Sequence, residues 1–381
     1  MYGKAGNYSM HYDSKDIRKG TYYTFTPTPI SKRDLYLMDD ELMLLLLRTH
    51  HKLGVLEGLF HTMPDSGIIS KILLLREVCF SLQIDNRDVS LYEIISKNLV
   101  DRLTLNQIRI LTQLPKGQVD FQMLYCICKS LYQGTEKECN GFFRTKQRFL
   151  HSAVIMNMET YNPTAPEEIQ DAMKDLVDYA NSNKAADTLI KVALTHYQFE
   201  TIHPFAYGNG VIGRTLMQTM LRNCTMHYDC FYSLSEYLYN NKTEYFDKLS
   251  YVQNTGDYLP WIKFFVKGIG VACNQAISMI ERTNSVVRRD TLRVESLSVN
   301  QKQLVDVYLY FKKELISGVK PVAEKFEVSY NTASKIIEIL IEIGILQKIN
   351  NQARHRLFGY AKLLEDFGIK QDVEMARRQD F

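Results

Sequence analysis

The chain has 381 residues, 45% of them hydrophobic, and a formal net charge of +3 at pH 7. This is enough apolar sequence for at least one sizeable core and a prior for two or three domains, while the near-neutral balance gives no electrostatic case for a nucleic acid or a membrane as bulk partner. The seven cysteines form neither a CxxC pair nor a Cys/His set at zinc-ligand spacing, a pattern that suits a reducing compartment. The opening MYGKAGNYSMHYDSKDIRKG lacks the apolar stretch of a signal peptide, and the leucine-rich run at 42 to 47 is too short to span a bilayer. The expectation is a cytoplasmic protein with no membrane contact.

In chain order, residues 1 to 30 read as a flexible polar arm ending in the extended, Pro-containing TFTPTPI. Apolar residues at helical spacing predict helices over 35 to 60 and, after Met-Pro-Asp-Ser-Gly, over 70 to 84, within an N-terminal helical region of 31 to 135. The β-branched and aromatic residues of 142 to 162 suggest a β-hairpin closing on Asn162-Pro163. Thr164, Pro166 and Glu167 then stand in capping register for a helix to about 181. Further helices are predicted from about 187 to 200 and from about 210 to 223, within a core of 136 to 284. The polar, arginine-bearing 285 to 296 reads as a linker. From 297 to 381 the order is a long helix, a short helix, a turn at 327 to 329, a helix over 331 to 343 and two short strands, which is a winged helix-turn-helix and tail.

The sharpest feature is the string from His203 to Arg214, HPFAYGNGVIGR, between two predicted helices. A His past a helix end can act as a general base, because its pKa lies near neutrality. Gly208, Asn209 and Gly210 leading into a helix offer free N–H groups and the positive end of the dipole to phosphates. Arg214, one turn further, can clamp outer phosphates with its guanidinium. Base, cradle and clamp together suggest phosphoryl or nucleotidyl transfer; taken alone, a His followed by GxG is equally a satisfied loop histidine before an ordinary helix entry.

The whole string resembles the Fic family motif H-P-F-x-(D/E)-G-N-G-R-x-x-R at His203, Pro204, Phe205, Gly208, Asn209, Gly210 and Arg214. The resemblance extends to the segment from Leu194 to Glu200, to Gly141 and Arg144 as a G-x-x-R element, to Asn241-Lys242 and Tyr245-Phe246, and to Gly256-Asp257 before Trp261-Ile262. It covers roughly residues 25 to 290. It implies an all-α fold, a Fic-type helical core with a small β-hairpin flap (about 147 to 161) that aligns a target by strand addition, followed here by the winged helix. It implies a protein adenylyltransferase that moves AMP from ATP to a Ser, Thr or Tyr hydroxyl of a protein, the chain itself included. His203 would be the base, Phe205 the anchor of the loop, Gly208, Asn209 and Gly210 the phosphate cradle, and Arg214 the clamp on the terminal phosphate, with Asn241 and Tyr245 as candidates for the nucleotide pocket.

Two family positions differ. Tyr207 stands where an acidic residue would hold Mg²⁺, and a neutral phenol is a poor ligand for a hard cation. Val211 stands where a first phosphate-directed arginine would be. Each loss removes electrostatic stabilisation, commonly about 100-fold in rate. Three readings therefore stand: a slow adenylyltransferase, transfer of another phosphate-containing group, or a catalytically impaired protein that senses nucleotide and regulates through DNA. Upstream, Ser81, Asp85 and Asn86 are similar to the family's inhibitory (S/T)-x-x-x-E-(G/N) helix, with Asp for Glu; the acid would pair with Arg214 in place of the terminal phosphate. In the C-terminal unit, nine Lys and Arg face six Asp and Glu between 297 and 360. Ser329, Tyr330, Asn331, Thr332, Ser334 and Lys335 are recognition-helix candidates, with Arg354, His355 and Arg356 on the wing. DNA binding and protein docking, including a homodimer, both fit such a unit.

Overall fold

The computed structural model describes residues 5–12, 21–32, 38–63, 66–97, 100–137, 141–149, 162–185, 187–224, 232–297, 301–350 and 355–369. The chain opens with strands β1 (Gly6–Tyr12) and β2 (Thr21–Pro27), paired antiparallel with Gly6 opposite Pro27 and Tyr12 opposite Thr21. The expected flexible arm is thus a hairpin over these residues. It is tied down by Phe25, 1% exposed, whose N–H donates to the Asn162 carbonyl at 2.9 Å, and by the buried Thr24.

Helices α1 (Asp40–Thr62), α2 (Ser66–Ile84), α3 (Leu91–Ser96), α4 (Arg102–Thr112) and α5 (Phe121–Tyr132) follow. Their starts are set by side chains: Asp39, Asp101 and Asp120 each accept a backbone N–H two or three residues into the helix, and Ser90 with Glu93 completes a capping box. Helix α2 is buried on nearly every face, from Ile69 through Val78 and Leu82 to Ile84. Asp85 and Asn86, which follow its last turn, are exposed.

The centre is formed by α6 (Ile169–Ala180), α7 (Thr188–Ile202), α8 (Asn209–Cys224), α9 (Leu234–Asn240), α10 (Lys242–Thr255) and α11 (Leu259–Glu295). The capping box expected at Thr164 is absent. Its hydroxyl donates to the Phe25 carbonyl at 3.2 Å, and a 3-10 turn over Pro166–Glu168 leads into α6 with no side-chain cap. Trp261 is fully buried, its indole N–H donating to the Ala193 carbonyl at 2.9 Å, so that α11 is pinned to α7. With 37 residues, α11 is about 55 Å long. It runs through the segment expected as a linker: Val286, Val287, Asp290 and Val294 recur at helical spacing on one buried stripe, and that periodicity outweighs the local polarity.

The C-terminal unit comprises α12 (Gln301–Glu314), β3 (Ile316–Gly318), α13 (Val319–Phe326), α14 (Tyr330–Glu342), β4 (Leu346–Lys348), β5 (Leu357–Tyr360) and α15 (Ala361–Asp366), with a three-stranded antiparallel sheet in the order β3-β5-β4. The elements keep the predicted order, with β3 and α15 added. This unit rests on α2 and α3. Arg76 of α2 bonds the Glu236 carboxylate and donates to the Phe367 carbonyl at 2.8 Å, Lys71 donates to the Lys313 carbonyl at 3.2 Å, and Lys97 pairs with Glu314 at 3.0 Å. Among the described residues no helix is long and apolar enough to cross a membrane.

Candidate active site

The loop from His203 to Gly208 joins α7 to α8, and the sequence over-determines its shape. His203 terminates α7 in the left-handed conformation (φ 54°, ψ 58°), its N–H donating to the Phe199 carbonyl at 2.9 Å. This conformation costs a non-glycine residue on the order of 1 kcal/mol, so the surroundings must hold it. Two clamps do so. The Asn209 side chain closes a two-bond ring with Phe205, accepting from its N–H and donating to its carbonyl, both at 2.7 Å. The phenyl group of Phe205 is buried, with ring centroids 6.0 Å from Phe143 and 6.3 Å from Phe199. The Asn209 amide, expected as a phosphate contact, is therefore committed to the loop, and the residue offers phosphate its backbone N–H. Gly208 has φ 69°, and a Cβ there would meet the Tyr132 hydroxyl at 2.5 Å.

The second clamp is Arg144, the arginine of the G-x-x-R element. Its side chain is buried, its Nε donates to the His203 carbonyl at 2.9 Å and its guanidinium also bonds the Thr164 carbonyl, while its backbone N–H donates to Pro204. Replacing Arg144 by Ala strands these carbonyls. The expected cost is about 2 kcal/mol or more, seen as a melting temperature lowered by several degrees in scanning fluorimetry. Lysine should not rescue it, because an ammonium cannot span the fork.

Helix α8 starts at Asn209 and points its first N–H groups, with the positive end of the dipole, at the open face. A carboxylate already stands there. Asp85 Oδ1 accepts from Arg214 Nη2 at 2.9 Å, and a Cβ on Gly210 would lie only 2.7 Å from the same oxygen. Arg214 is 2% exposed, and its other donors go to the Ser81 hydroxyl at 2.9 Å and the Ser81 carbonyl at 2.8 Å. Asn86 accepts from Lys242 Nζ at 2.7 Å. The structure brings His203, Gly208, Asn209, Gly210, Arg214, Ser81, Asp85 and Asn86 together around the start of α8. Tyr245 lies in the layer beneath, fully buried, with its hydroxyl 2.9 Å from His196 Nε2. Asn241 joins α9 to α10 and donates its amide to the Tyr237 carbonyl at 2.8 Å. Both of these proposed nucleotide contacts thus have their recorded bonds within the protein.

Burial sets the protonation states. It is the largest cause holding the His203 imidazole down to about 4, with the Arg144 charge next, so the ring is neutral at physiological pH and its buried Nδ1 has no hydrogen-bond partner. Burial pushes Glu200 up to about 7 against the opposing pull of Arg214. This carboxyl presses on Gly213 one residue before Arg214, and its Oε1 has no partner. A carboxyl whose pKa rises on folding contributes stability that is lost as pH rises from its unfolded value, near 4.5, through about 7. Glu200→Gln is therefore expected to gain stability over the parent across that interval and to hold the gain above it. A stability difference that stays constant with pH contradicts this assignment.

The two departures from the motif lie in different surroundings. Val211 is buried in the core. Tyr207 is 39% exposed, with Lys137 Nζ 4.9 Å and Arg148 Cζ 5.6 Å from its ring centroid. It borders a cavity of about 310 Å³ lined also by Tyr132, Arg144, Lys146 and Arg148, with no carboxylate in the lining. Among the described residues no group of three His, Cys, Asp or Glu side chains could hold a metal. The donor set beside Tyr207 does not fit Mg²⁺, a hard cation that prefers carboxylate oxygen.

The expected flap lies largely outside the described residues, as does Arg354. In the C-terminal unit Ser329 caps α14, with Tyr330, Asn331, Thr332, Ser334 and Lys335 in its first two turns. Ser334 donates to Glu338 at 3.0 Å, and His355 and Arg356 precede β5.

The Fic/DOC family model matches residues 118–221, the stretch that runs from α5 through the loop into α8. This part of the chain is similar to a Fic domain. It is similar to the protein adenylyltransferase fic-1 of Caenorhabditis briggsae, 27% identical over 147 residues that make up 37% of this chain and 28% of the relative. The protein of the same name from Caenorhabditis elegans is 30% identical over 109 residues, 28% of this chain and 20% of the relative. The chain thus spans between a fifth and about a quarter of the length of these two curated relatives. Among solved structures, a Fic family protein from Desulfovibrio desulfuricans G20 shares the fold with a TM-score of 0.53 at 16% identity, over 85% of this chain and 97% of its own.

Proposed function

We propose that this chain is a protein adenylyltransferase, restrained in the described conformation by Asp85. The observation that carries the reading is the placement of an anion, the Asp85 carboxylate, at the start of α8 on the guanidinium of Arg214, one loop away from a neutral imidazole. A terminal phosphate of ATP needs the same donors. With Asp85 displaced, Arg214 and the N–H groups of Gly210 and its neighbours hold the triphosphate. A target hydroxyl oxygen then attacks the α-phosphorus. The new O–P bond forms as the bond to the bridging oxygen of the β-phosphate breaks, pyrophosphate leaves, and the hydroxyl proton passes to the His203 imidazole. The names of the curated relatives support this reading. The test is intact-mass spectrometry of Asp85→Ala protein incubated with ATP, alone and with a cell lysate. An added AMP that disappears in the Asp85→Ala, His203→Ala double variant is the expected result, and no AMP on any protein contradicts the reading.

One observation favours a second, regulatory role. The C-terminal unit bonds α2, the helix that leads into Asp85, through Phe367 and Lys313. A ligand of this unit, duplex DNA being the one its element order suggests, would act on the restraint directly. Salt-dependent binding of duplex DNA by the full chain, with a change in AMP transfer, is its expected signature.

A further inference from the structure

We infer that the triphosphate is neutralised on the Tyr207 side by Lys137 and Arg148 rather than by a divalent cation; this rests on the adenylyl-transfer reading above. Tyr207 precedes Gly208 on the loop, and Tyr132, against which Gly208 packs, lines the same cavity as Tyr207 and Arg148, so this cavity adjoins the loop that leads into α8. Two cations gather there. Lys137 and Arg148 come from segments on either side of the Fic loop's neighbour Arg144, and both approach the one ring. The cavity that Tyr207 and Arg148 line has no carboxylate in its wall, and Arg148 Nε is buried with no hydrogen-bond partner among the described residues. Two like charges held at one ring repel each other, and the cost is relieved when an anion comes between or beside them. The ring face lowers that cost in the free protein by cation–π attraction.

The same cations act on the base. After burial and Arg144, the charge of Arg148 is among the groups that hold the His203 imidazole down. A phosphate seated on Arg148 screens that charge and returns the imidazole toward a more basic state, so the base strengthens when nucleotide is present. The replacement is thus coherent: an acid that would recruit a metal is absent, and the positive charge the metal would supply is built into the chain. Asp85 and Glu200 lie on the Arg214 side, where one bonds the guanidinium and the other stands against Gly213.

The test is calorimetric titration of full-length Asp85→Ala protein with ATP, in EDTA and again with excess Mg²⁺. We expect dissociation constants within about threefold of each other. Lys137→Gln and Arg148→Gln, each added to that background, should weaken binding in EDTA by about tenfold, the worth of one charge-assisted contact. Lys137 is exposed, so Lys137→Glu should fold; it should bind still more weakly in EDTA and recover in part when Mg²⁺ is added. Binding that needs Mg²⁺ in the parent, or that ignores all three substitutions, overturns this inference while leaving adenylyl transfer standing. No binding of ATP under either condition overturns both.

Discussion

Replacing Asp85 by Ala is expected to raise the rate of AMP transfer at subsaturating ATP by about tenfold or more. Arg214 is buried, and the bond from its Nη2 to Asp85 is charge-assisted. Such a bond is worth about 1.5–3 kcal/mol, and a terminal phosphate must displace it to reach the same donors. Removing the competitor returns that free energy to nucleotide binding, about 10- to 100-fold in affinity. Helix α2 itself need not leave, and its burial on nearly every side argues that it does not. The same substitution by Asn, which keeps the shape and a weaker acceptor but removes the charge, should give an intermediate rate. Measuring initial rates with radiolabelled ATP across these variants checks the order. Equal rates in all three, in protein that does transfer AMP, contradict the restraint.

Replacing His203 by Ala is expected to cut transfer by about 100- to 10,000-fold, the range for loss of a general base. Binding of ATP should change little, because the groups proposed to hold the phosphates, Arg214, the start of α8, Lys137 and Arg148, do not include His203. The fold should survive only partly unchanged, since His203 also ends α7 in a left-handed conformation. Asn, which tolerates that conformation better than Ala, separates the two effects: it should restore the melting temperature but leave transfer as low. The pH profile gives a second check. With the imidazole held down to about 4 in the free protein, kcat/KM should show no acid limb from His203 above about pH 5.

Much of the site was legible in the sequence because its parts are local. The string from His203 to Arg214 holds the base, the helix start and the clamp within twelve residues, and a loop that short between two helices can close in few ways. The pairing of Arg214 with Ser81 and Asp85 spans more than 120 residues and was legible only through the spacing of a short motif. What sequence reasoning missed came from tertiary context. Lys137 and Arg148 carry no local pattern that sends them to Tyr207. Asn209 looked like a phosphate ligand because its neighbours are glycines, yet its amide is spent on Phe205. In the fold, 285 to 296 read as linker because arginines crowd it, while the buried stripe of Val286, Val287, Asp290 and Val294 continues α11 to Glu295. The N-terminal residues read as an arm because they are polar, but the backbone of Phe25 bonds Asn162 and Thr164, a tie that no local rule reveals.

Positional labelling shows most directly whether the nucleotide is cut at its α-phosphorus by a site that Asp85 restrains. Asp85→Ala protein is incubated with ATP labelled at the α-phosphate and, separately, at the γ-phosphate, and protein-bound label is counted with and without His203. The account predicts label from the α-position, none from the γ-position, and loss of the signal in the His203→Ala double variant. Label carried from the γ-phosphate, or α-label that persists without His203, contradicts it.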